Sequence, residues 1–578
     1  MQDRLYEKNL VALERRYPQA AAALRRLPPE LGEPITAGYE EAWLRKTLPN
    51  GAEQAVLLGA GDGTAIEMLR REFGLRNLAV VEKDWRRLAW ALQNRDLSET
   101  LSDPHVFLAL AAAPEALEDH LEYVKTSLAA HGFQLLRHPS IPPEDASYYD
   151  AVQTQLRRMM EREAFSLRAR LTRGPLVQRN LITNLPEMLS ALTLDDARGR
   201  FAGTPAVIAA GGPSLDRNVK ALRNAQGRAL LLGVDTAVRT LQRHGVEPPI
   251  VVATDPSPEN DKHLEGVELP PKTLFAFSPD CYYAIPRRYR SLQRRLCVYD
   301  DSARFTYWLK NLLGFEELIP RPLHVAETAI RLALVLGCNP IVFTGLDLAI
   351  PPAGGMTHSS LSARAARVLR LMDDEMETVN ADGTSVKHKI VYVEGIRGEP
   401  VATLYSFKFY LERLEALMAS SSVRWIDATE GGALKKGAEI RPLNEVIAEF
   451  DNLGNEFEKR LQALPKVMKF HPENCVKSLN ESFSRLRRLE ERMNTAAAGN
   501  WNLVEIEGLW RFFLRDEETR ALLDHAVFPF QLEPPLERIP FDRRNDYLYR
   551  HLKEAHSIVK MFFPIWEESL QRLLENIA

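Results

Sequence analysis

A glycine-rich turn near residue 211 is the first feature of the sequence that could bind a charged group. An apolar run ends at Ala210, and a helix is predicted to begin soon after, with Ser214 or Asp216 near its start. The residues of the turn are Gly211, Gly212, Pro213, Ser214 and Leu215. Glycines let the backbone approach a ligand closely, and the free N–H groups at a helix start attract anions. The turn is therefore typical of a phosphate or carboxylate site, although a plain strand-to-helix turn explains it equally well.

Three acidic residues follow at the ends of predicted strands. Asp235 comes 23 residues after Gly212, close to the spacing of about 20 residues at which an acid often holds a ribose hydroxyl. Asp255 and Asp347 end two later strands. The carboxyl ends of parallel strands share one edge of a sheet, and ligands bind there. Any one of these acids could be a turn or capping residue, but the three together favour a binding site.

The loop that follows Asp347 contains a single histidine, His358, among several prolines and glycines. An imidazole with a pKa near neutrality can take the proton of a hydroxyl nucleophile or protonate a leaving phosphate. His358 or Asp347 is the predicted proton-transfer residue. The alternative for His358 is an ordinary loop histidine.

These residues are positioned by a predicted α/β domain. Short runs rich in valine, isoleucine and leucine, each ending at small or acidic residues, are typical of a parallel sheet buried on both faces. The candidate strands are TPAVIAAGG, RALLLGVD, PIVVATD, KTLFAFS, RRLCVYD and NPIVFTGLD, with KIVYV and VRWID as later candidates.

Four segments, three domains and one linker, are predicted along the chain of 578 residues, which is too long for one hydrophobic core. They are an N-terminal Rossmann-like α/β domain with leading helices (1–140), a helical linker (141–199), the central α/β domain (200–444) and an all-helical C-terminal domain (445–578). The linker helix is expected to break at Gly174-Pro175. The predicted fold class is therefore α/β, with a central Rossmann-type parallel sheet between the two flanking domains.

The composition excludes several classes of protein. A formal net charge of −4 gives no overall basic surface for nucleic acid. The four cysteines are scattered without a CxxC pair, which argues against disulfides and a structural zinc site. The N-terminal residues lack the apolar core of a signal peptide, and no membrane span is expected. The sequence therefore predicts a cytoplasmic protein.

A second glycine turn lies in the N-terminal domain at residues 59–63, after the predicted strand AVLLGAG. Glu82 ends the next strand, 19 residues after Gly63, which suits an S-adenosylmethionine or dinucleotide pocket. A turn of this kind alone is a weak indication. A Rossmann-like domain without a ligand is the alternative, and the sequence leaves the choice open.

The central domain resembles the motility-associated factor (Maf) flagellin glycosyltransferases and their MptE-like domain. The motifs occur in order: GGPSL at 211–215, GVDTA at 233–237, Asp255-Pro256, GLDLA at 345–349, His358 and ATEGGA at 428–433. An upstream segment, Gln178-Arg179-Asn180 with Asn184, matches the family's lead-in to this domain. Residue 346 is leucine where the family more often has glutamine, which removes an amide from the site.

The resemblance implies a fold similar to bacterial sialyltransferases and a CMP-activated nonulosonic acid as the donor. The acceptor would be a serine or threonine hydroxyl of flagellin. The 211–215 turn would bind the nucleotide, Asp235 and Asp255 would lie beside the nucleotide or sugar, and Asp347 and His358 would be nearest the chemistry. Thr429, Glu430 and Gly431 follow the strand VRWID and are read as donor or phosphate contacts, with a capping Thr429 as the alternative.

No obligatory metal or other cofactor is expected. CMP carries one phosphate, so less charge needs neutralising than in a nucleoside diphosphate donor, and no Asp-x-Asp pair ends a candidate strand. The glycine turn and the helix start would stabilise the leaving phosphate instead.

Three other functions remain open from the sequence. The MptE-like domain also resembles an archaeal pterin pyrophosphokinase, which would need ATP and magnesium, but no Walker motif occurs. A non-catalytic flagellin-binding protein or chaperone is the second, and a methyltransferase acting through the 59–63 turn is the third. Aromatic residues of the C-terminal domain could grip a protein acceptor, although a helical core explains them more simply. They are Trp501, Trp510, Phe512 and Phe513.

Overall fold

The computed structural model describes residues 2–27, 40–454, 456–465, 472–498, 503–532, 539 and 543–577. It divides the chain into two compact units, Met1–Thr172 and Arg173–Ala578. The division of the chain into four segments stays a prediction. The predicted α/β class is confirmed, because both units contain parallel sheets and the C-terminal region is helical.

The first unit is built on a four-stranded parallel sheet in the order β3-β2-β1-β4. Its strands are β1 (Gln54–Leu58), β2 (Asn77–Glu82), β3 (Val106–Leu110) and β4 (Gln134–Arg137). Alternate residues of β1 enter separate hydrophobic clusters on the two faces of the sheet. The sequence predicted β1 to β3 from their apolar runs. It missed β4, because this edge strand buries only one of its four residues.

Helices cover both faces of this sheet. They are α1 (Gln2–Glu14), α2 (Pro18–Arg25), α3 (Glu40–Thr47), α4 (Thr64–Arg71), α5 (Trp85–Asn94), α6 (Ser98–Ser102), α7 (Leu117–Leu121), α8 (Lys125–His131) and α9 (Ala146–Thr183), with 3₁₀ turns at Pro114–Ala116 and Pro143–Asp145. The predicted break at Gly174-Pro175 is wrong, since α9 continues through Pro175. Gly174 instead lets the backbone pass close to another segment, because a Cβ atom there would lie 2.5 Å from the His525 carbonyl oxygen.

The second unit contains the large parallel sheet and a smaller antiparallel one. In chain order the strands are β5 (Ala206–Ala209), β6 (Leu230–Val234), β7 (Ile250–Ala253), β8 (Leu274–Phe277), β9 (Arg294–Cys297), β10 (Ile341–Thr344), β11 (Arg367–Leu371), β12 (Glu375–Val379), β13 (Ser385–Glu394), β14 (Pro400–Leu404), β15 (Trp425–Asp427) and β16 (Glu439–Ile440). The parallel sheet has the order β16-β15-β10-β5-β6-β7-β8-β9. The antiparallel sheet has the order β11-β12-β13-β14.

The predicted strand KIVYV was placed in the wrong kind of sheet. It forms part of β13, which pairs antiparallel with β12 and β14. Most residues of β13 are exposed or half-buried, as in a sheet with one face open to solvent. The other strands predicted for the central domain all lie in the large parallel sheet.

Helices of the second unit pack on both faces of the parallel sheet and form the C-terminal region. They are α10 (Leu185–Leu189), α11 (Leu194–Ala197), α12 (Leu215–Ala225), α13 (Asp235–Arg243), α14 (Asp261–Leu264), α15 (Ala284–Arg288), α16 (Arg304–Leu313), α17 (Val325–Val335), α18 (Tyr405–Ala419), α19 (Leu443–Ala448), α20 (Glu456–Gln462), α21 (Pro472–Ala498), α22 (Leu503–Arg515), α23 (Glu517–Leu522), α24 (Asp524–Gln531) and α25 (Arg544–Ile577), with a 3₁₀ turn at Pro258–Asn260. Among the described helices, none combines the length and apolar character needed to cross a membrane.

The aromatic residues of the C-terminal region belong mostly to its core. Trp510 and Phe513 are buried in the same hydrophobic cluster as α21 and α25, as the core explanation predicted. Phe512 is 37% exposed, and Trp501 lies outside the described residues.

Candidate functional site

The predicted site residues converge where the strand order of the large parallel sheet reverses. The chain proceeds from β5 through β6 to β9 on one side, whereas β10, β15 and β16 lie on the other side of β5. Adjacent strands whose connections leave in opposite directions open a crevice at their carboxyl ends, and α/β proteins bind ligands there. The 211–215 turn follows β5 and Asp347 follows β10, so both lie at this crevice.

The glycine turn allows three strand ends to approach one another closely. A Cβ atom on Gly211 would lie 2.3 Å from Thr236 Oγ1, and one on Gly212 would lie 2.1 Å from Asp347 Oδ2. The Gly212 N–H donates to the Gly345 carbonyl oxygen at 2.8 Å. Glycine is required at both positions because neighbouring segments already fill the space that a side chain would occupy.

The carboxylate of Asp347 lies at the helix start that was predicted to bind an anion. Its Oδ2 atom accepts hydrogen bonds from Ser214 Oγ at 2.8 Å and from the Ser214 N–H at 3.2 Å, at the beginning of α12. Burial raises the pKa of Asp347, while these hydrogen bonds and the charges of Lys435 and Arg217 lower it. The carboxyl group of Asp347 therefore occupies this helix start itself. The neighbouring turn residues differ in burial: Pro213 is half-buried and Leu215 is fully buried.

Asp235 is a buried carboxylate held by two hydrogen bonds. Its Oδ1 atom accepts from the Thr236 N–H at 2.7 Å, and its Oδ2 atom accepts from the Asn260 side-chain amide at 2.8 Å. Burial raises the pKa of Asp235 to about 6, against the lowering effect of these hydrogen bonds. The charge of the neighbouring Asp255 raises this pKa further. The two predicted acids are therefore close enough to sense each other's charge.

Asp255 is paired with a cation. Its Oδ2 atom lies 3.1 Å from Arg364 Nη1, and its Oδ1 atom accepts from the Ser257 N–H at 2.8 Å. Burial works to raise the pKa of Asp255, but the Arg364 guanidinium and the Ser257 hydrogen bonds hold it below its ordinary value. Asp255 is therefore ionised near neutral pH.

The loop that carries His358 is fastened to the crevice. The Ser359 N–H donates to the Gly211 carbonyl oxygen at 2.9 Å, and the Ser360 N–H donates to Asp216 Oδ2 at 2.8 Å. His358 therefore lies one residue from a direct contact with the glycine turn. Burial, assisted by the charge of Arg364, lowers the pKa of His358 to about 4. His358 is therefore in its neutral form at physiological pH.

The segment after β15 encloses Asp347 from the other side. The Ala433 N–H donates to the Asp347 carbonyl oxygen at 2.9 Å, and a Cβ atom on Gly432 would lie 2.2 Å from that oxygen. Thr429 is buried and its N–H donates to Asp427 Oδ1 at 3.0 Å. This hydrogen bond to the side chain two residues earlier belongs to a local turn. The next helix begins only at Leu443, so Thr429 does not cap a helix.

The other two predicted residues of this segment lie beside Arg217. The Arg217 guanidinium donates to the Glu430 carbonyl oxygen at 3.4 Å, and a Cβ atom on Gly431 would lie 3.0 Å from its Nη2 atom. The Glu430 carboxylate accepts from the Leu443 N–H at 3.2 Å. The segment therefore contacts the Arg217 guanidinium of α12 on the β15 side of the crevice. In the same segment, Lys435 pairs with Asp427 at 2.9 Å.

Several residues of the site were not found by the sequence analysis. Arg364, Asn260 and His263 come from loops and a single-turn helix, whose sequences carry no periodic pattern to mark them. Asn180 and Asn184 were noted only as a lead-in segment. Their side-chain amides donate to backbone carbonyls of the loops after β7 and β8, at Pro256, Asp280, Pro279 and Cys281. Their spacing of four residues on one helix face was the available indication.

The glycine turn of the first unit is filled by side chains of that unit. A Cβ atom on Gly61 would lie 2.3 Å from His138 Nε2, and that nitrogen lies 2.8 Å from Glu40 Oε1. The Glu82 carboxylate accepts hydrogen bonds from the N–H groups of Ala60 and Asp84, both at 2.8 Å. Glu82 is therefore engaged in holding the turn itself.

No cluster of three or more histidine, cysteine or acidic side chains suited to a metal ion occurs in the described parts of the chain.

Residues 179–352 match a family described as "6-hydroxymethylpterin diphosphokinase MptE-like". This range contains the 211–215 turn and the acids at the ends of β6, β7 and β10, and it ends before His358. The resemblance to MptE-like domains is thereby confirmed for this part of the chain. No curated protein sequence matches the chain.

The fold is glycosyltransferase-like. Among solved structures, the chain is similar to a Maf glycosyltransferase from Magnetospirillum magneticum AMB-1, with a TM-score of 0.58 and 15% sequence identity. The similarity covers 99% of this chain and 97% of that chain. At this identity the comparison establishes the fold, and the activity has to be argued from the site.

Proposed function

We propose that the protein is a glycosyltransferase that moves a nonulosonic acid from a CMP-activated donor to serine or threonine hydroxyls of flagellin. The observation that carries the proposal is the crevice between β5 and β10, where a neutral histidine, a helix start and ionisable carboxylates converge. The motifs of the central domain and the glycosyltransferase-like fold support it.

In the proposed reaction, His358 accepts the proton of the acceptor hydroxyl. The acceptor oxygen forms a bond to the anomeric carbon of the sugar, the bond from that carbon to the phosphate oxygen breaks, and CMP leaves with the electron pair. The N–H groups of Gly212, Ser214 and Leu215 already donate within the protein, so we assign stabilisation of the departing phosphate to the nearby Arg217. Asp347 positions Ser214 and the start of α12.

Asp235 and Asp255 lie two and three strands from Asp347, at the ends of β6 and β7. Carboxylates accept hydrogen bonds from hydroxyl groups, and the ribose of the nucleotide and the sugar both carry hydroxyls. We therefore assign these two acids to binding of the donor. Thr429, Glu430 and Gly431 approach the crevice from the β15 side and are assigned to the phosphate end of the donor, together with Arg217.

The function is tested by producing the chain with a flagellin in cells that make a CMP-nonulosonic acid, and by measuring the mass of intact flagellin. We expect mass increments of one sugar residue with the wild-type chain and none with His358→Gln. His244→Gln is the matched control, because His244 lies at the far end of α13 from the crevice. Unmodified flagellin in the presence of the donor would overturn the proposal and favour a non-catalytic flagellin-binding protein.

A second candidate follows from the description of the matching family, which names a 6-hydroxymethylpterin diphosphokinase. Such an enzyme transfers diphosphate from ATP to a pterin hydroxyl. Incubation of the purified chain with ATP, Mg²⁺ and 6-hydroxymethylpterin separates the two functions. Formation of AMP that depends on the pterin would favour this candidate, whereas release of CMP from a CMP-sugar in the presence of flagellin would favour the glycosyltransferase.

A further inference from the structure

The loop that carries His358 is closed by two hydrogen bonds between Thr357 and Ala366. The Thr357 N–H donates to the Ala366 carbonyl oxygen at 2.8 Å, and the Ala366 N–H donates to Thr357 Oγ1 at 3.1 Å. On the other side of the histidine, the Ser359 N–H donates to the Gly211 carbonyl oxygen at 2.9 Å. His358 therefore lies between two residues whose backbones are both fixed.

The two ring nitrogens of His358 have different surroundings. Nδ1 lies 3.2 Å from Thr357 Oγ1, within hydrogen-bond distance. Nε2 has no hydrogen-bond partner among the described residues, and it is not closed off from solvent. Because burial lowers the pKa of His358 to about 4, the ring carries a single proton at physiological pH. Nε2 is therefore the nitrogen that a substrate hydroxyl can approach.

The hydroxyl group of Thr357 can meet Nδ1 in two ways. A hydroxyl oxygen has two lone pairs and one hydrogen, and the Ala366 N–H takes one of the lone pairs. If the other lone pair accepts from Nδ1–H, Nε2 is unprotonated and can take a proton. If the hydroxyl hydrogen is donated to Nδ1, Nε2 carries the ring proton and can only donate. The contact with Thr357 therefore decides what the accessible nitrogen of His358 can do.

We propose that Thr357 is a positioning residue that holds His358 in the Nδ1–H tautomer, so that Nε2 accepts the proton of the acceptor hydroxyl. This inference rests on the glycosyltransferase function proposed above. In that reaction the hydroxyl proton moves to Nε2 as the oxygen forms its bond to the anomeric carbon, and the ring then carries a proton on each nitrogen. The imidazolium keeps its bond from Nδ1–H to Thr357 Oγ1, so the ring does not have to reorient during the transfer.

The tautomer is measured directly by NMR of the wild-type chain labelled with ¹⁵N-histidine, with His358→Gln giving the assignment of the resonances. We expect His358 of the folded chain at neutral pH to have a protonated Nδ1 and an unprotonated Nε2. The opposite tautomer, with the proton on Nε2, would overturn the inference. This measurement needs no substitution of Thr357, so it applies even if a variant at that position does not fold.

Three substitutions show whether Thr357 is responsible for the tautomer. Thr357→Val removes the hydroxyl group at similar volume, Thr357→Ser keeps it, and Thr495→Val is the matched control. Thr495 is an exposed residue of α21 whose hydroxyl also makes one hydrogen bond, to the Glu491 carbonyl oxygen at 2.9 Å. For each variant we would measure the tautomer of His358, kcat for transfer to flagellin and the affinity for CMP.

We expect Thr357→Val to show a mixture of the two tautomers, because nothing then selects the proton on Nδ1. Its kcat should fall roughly five- to tenfold, the effect of losing one hydrogen bond of ordinary strength. CMP should bind as tightly as in the wild-type chain, since Thr357 acts on the base and not on the donor. Thr357→Ser and Thr495→Val should match the wild-type chain in all three measurements.

A wild-type tautomer and a wild-type kcat in Thr357→Val would overturn the inference. A lower kcat with an unchanged tautomer would also overturn it, because Thr357 would then only hold the loop together. The proposed function is judged separately, by the mass of flagellin after incubation with the wild-type chain and the donor. Unmodified flagellin in that experiment would overturn the function and the inference with it.

Discussion

At the scale of single residues, the acids of the site are fixed by backbone amides as well as by charged partners. Asp235, Asp255 and Asp427 each accept a hydrogen bond from an N–H one or two residues later, and Asp347 accepts one from Ser214. These local bonds are the turn contacts that the sequence analysis gave as the alternative to ligand binding. They do not compete with it, because each carboxylate also reaches a second group across the crevice or its rim.

The histidines of this region make stability depend on pH. Burial lowers the pKa of His263 and His358 to about 4 in the folded chain, whereas an unfolded histidine titrates near about 6.5. Between these values the unfolded state binds more protons, so the free energy of unfolding should fall as the pH drops from about 6.5 to about 4. Asp235, whose pKa is raised to about 6, opposes this trend, because stability is regained as its buried carboxylate becomes protonated.

Urea unfolding between about pH 7 and about pH 4 measures this dependence. We expect the decline to be shallower in His358→Gln and His263→Leu than in the wild-type chain. Equal slopes in all three proteins would show that these histidines do not have depressed pKa values.

The proposed donor also implies a metal-independent reaction. CMP has a single phosphate, and the crevice offers it the guanidinium of Arg217. We expect transfer to flagellin to proceed at an unchanged rate after the protein is treated with EDTA. Loss of transfer that is restored by adding Mg²⁺ or Mn²⁺ would contradict this expectation, and a known metal-dependent glycosyltransferase serves as the positive control for chelation.

At the scale of elements, close packing explains glycines that a sequence pattern alone misreads. Gly174 was expected to break a helix, but α9 continues through it. The glycine instead makes room for the His525 carbonyl oxygen. At Gly211 and Gly212 the same requirement applies between strand ends. Glycine is needed at these positions because residues distant in the sequence lie too close for a side chain. A single sequence does not reveal such contacts.

Replacement of Gly174 tests this account. A Cβ atom at this position meets a backbone oxygen at 2.5 Å, so the backbone has to shift. We expect Gly174→Ala to reduce the free energy of unfolding by about 1–3 kcal/mol, the usual cost of overpacking. Gly508 is the matched control in helix α22, since a Cβ atom there has no neighbour within 4 Å. Gly508→Ala should raise the free energy of unfolding by about 0.5–1 kcal/mol. Chemical denaturation of both variants decides the matter, and a Gly174→Ala chain as stable as Gly508→Ala would contradict the packing argument.

The strands that could be predicted from the sequence were those buried on both faces. β1 to β3, β5 to β8 and β10 are largely apolar runs, which mark parallel strands of a central sheet. The strands of the antiparallel sheet alternate apolar with charged residues and have an exposed face, so KIVYV was assigned to the wrong sheet and its neighbours were missed. The edge strands β4 and β16 are short and bury only one residue between them, so they present no apolar run to detect.

The part of the site that could be predicted lies at the ends of these parallel strands. Asp235, Asp255 and Asp347 end strands of one parallel sheet, and such ends must share an edge, so their proximity follows from the strand pattern. Asn260, His263 and Arg364 reach the edge from loops and a single-turn helix. Their positions depend on tertiary contacts such as the Arg239 and Arg288 bonds to α14, and no local pattern encodes those contacts.

At the scale of the whole molecule, the two units use glycine turns differently. In the first unit the turn is filled by His138 and Glu40, and Glu82 holds its backbone. In the second unit the turn lies at the reversal of strand order, and the loop that carries His358 is hydrogen-bonded to it. The residues suited to transfer chemistry are therefore concentrated in the second unit, and the proposed reaction uses groups from that unit alone.

The central claim is that transfer takes place at the crevice between β5 and β10 with His358 as the base. Its most direct test is the turnover number of purified His358→Gln with a CMP-nonulosonic acid and flagellin, measured together with the affinity of the variant for CMP. The account predicts that kcat falls by about 10²- to 10⁴-fold, the usual contribution of a general base, while CMP binds as tightly as in the wild-type chain. A kcat equal to that of the wild type would contradict the assignment of His358.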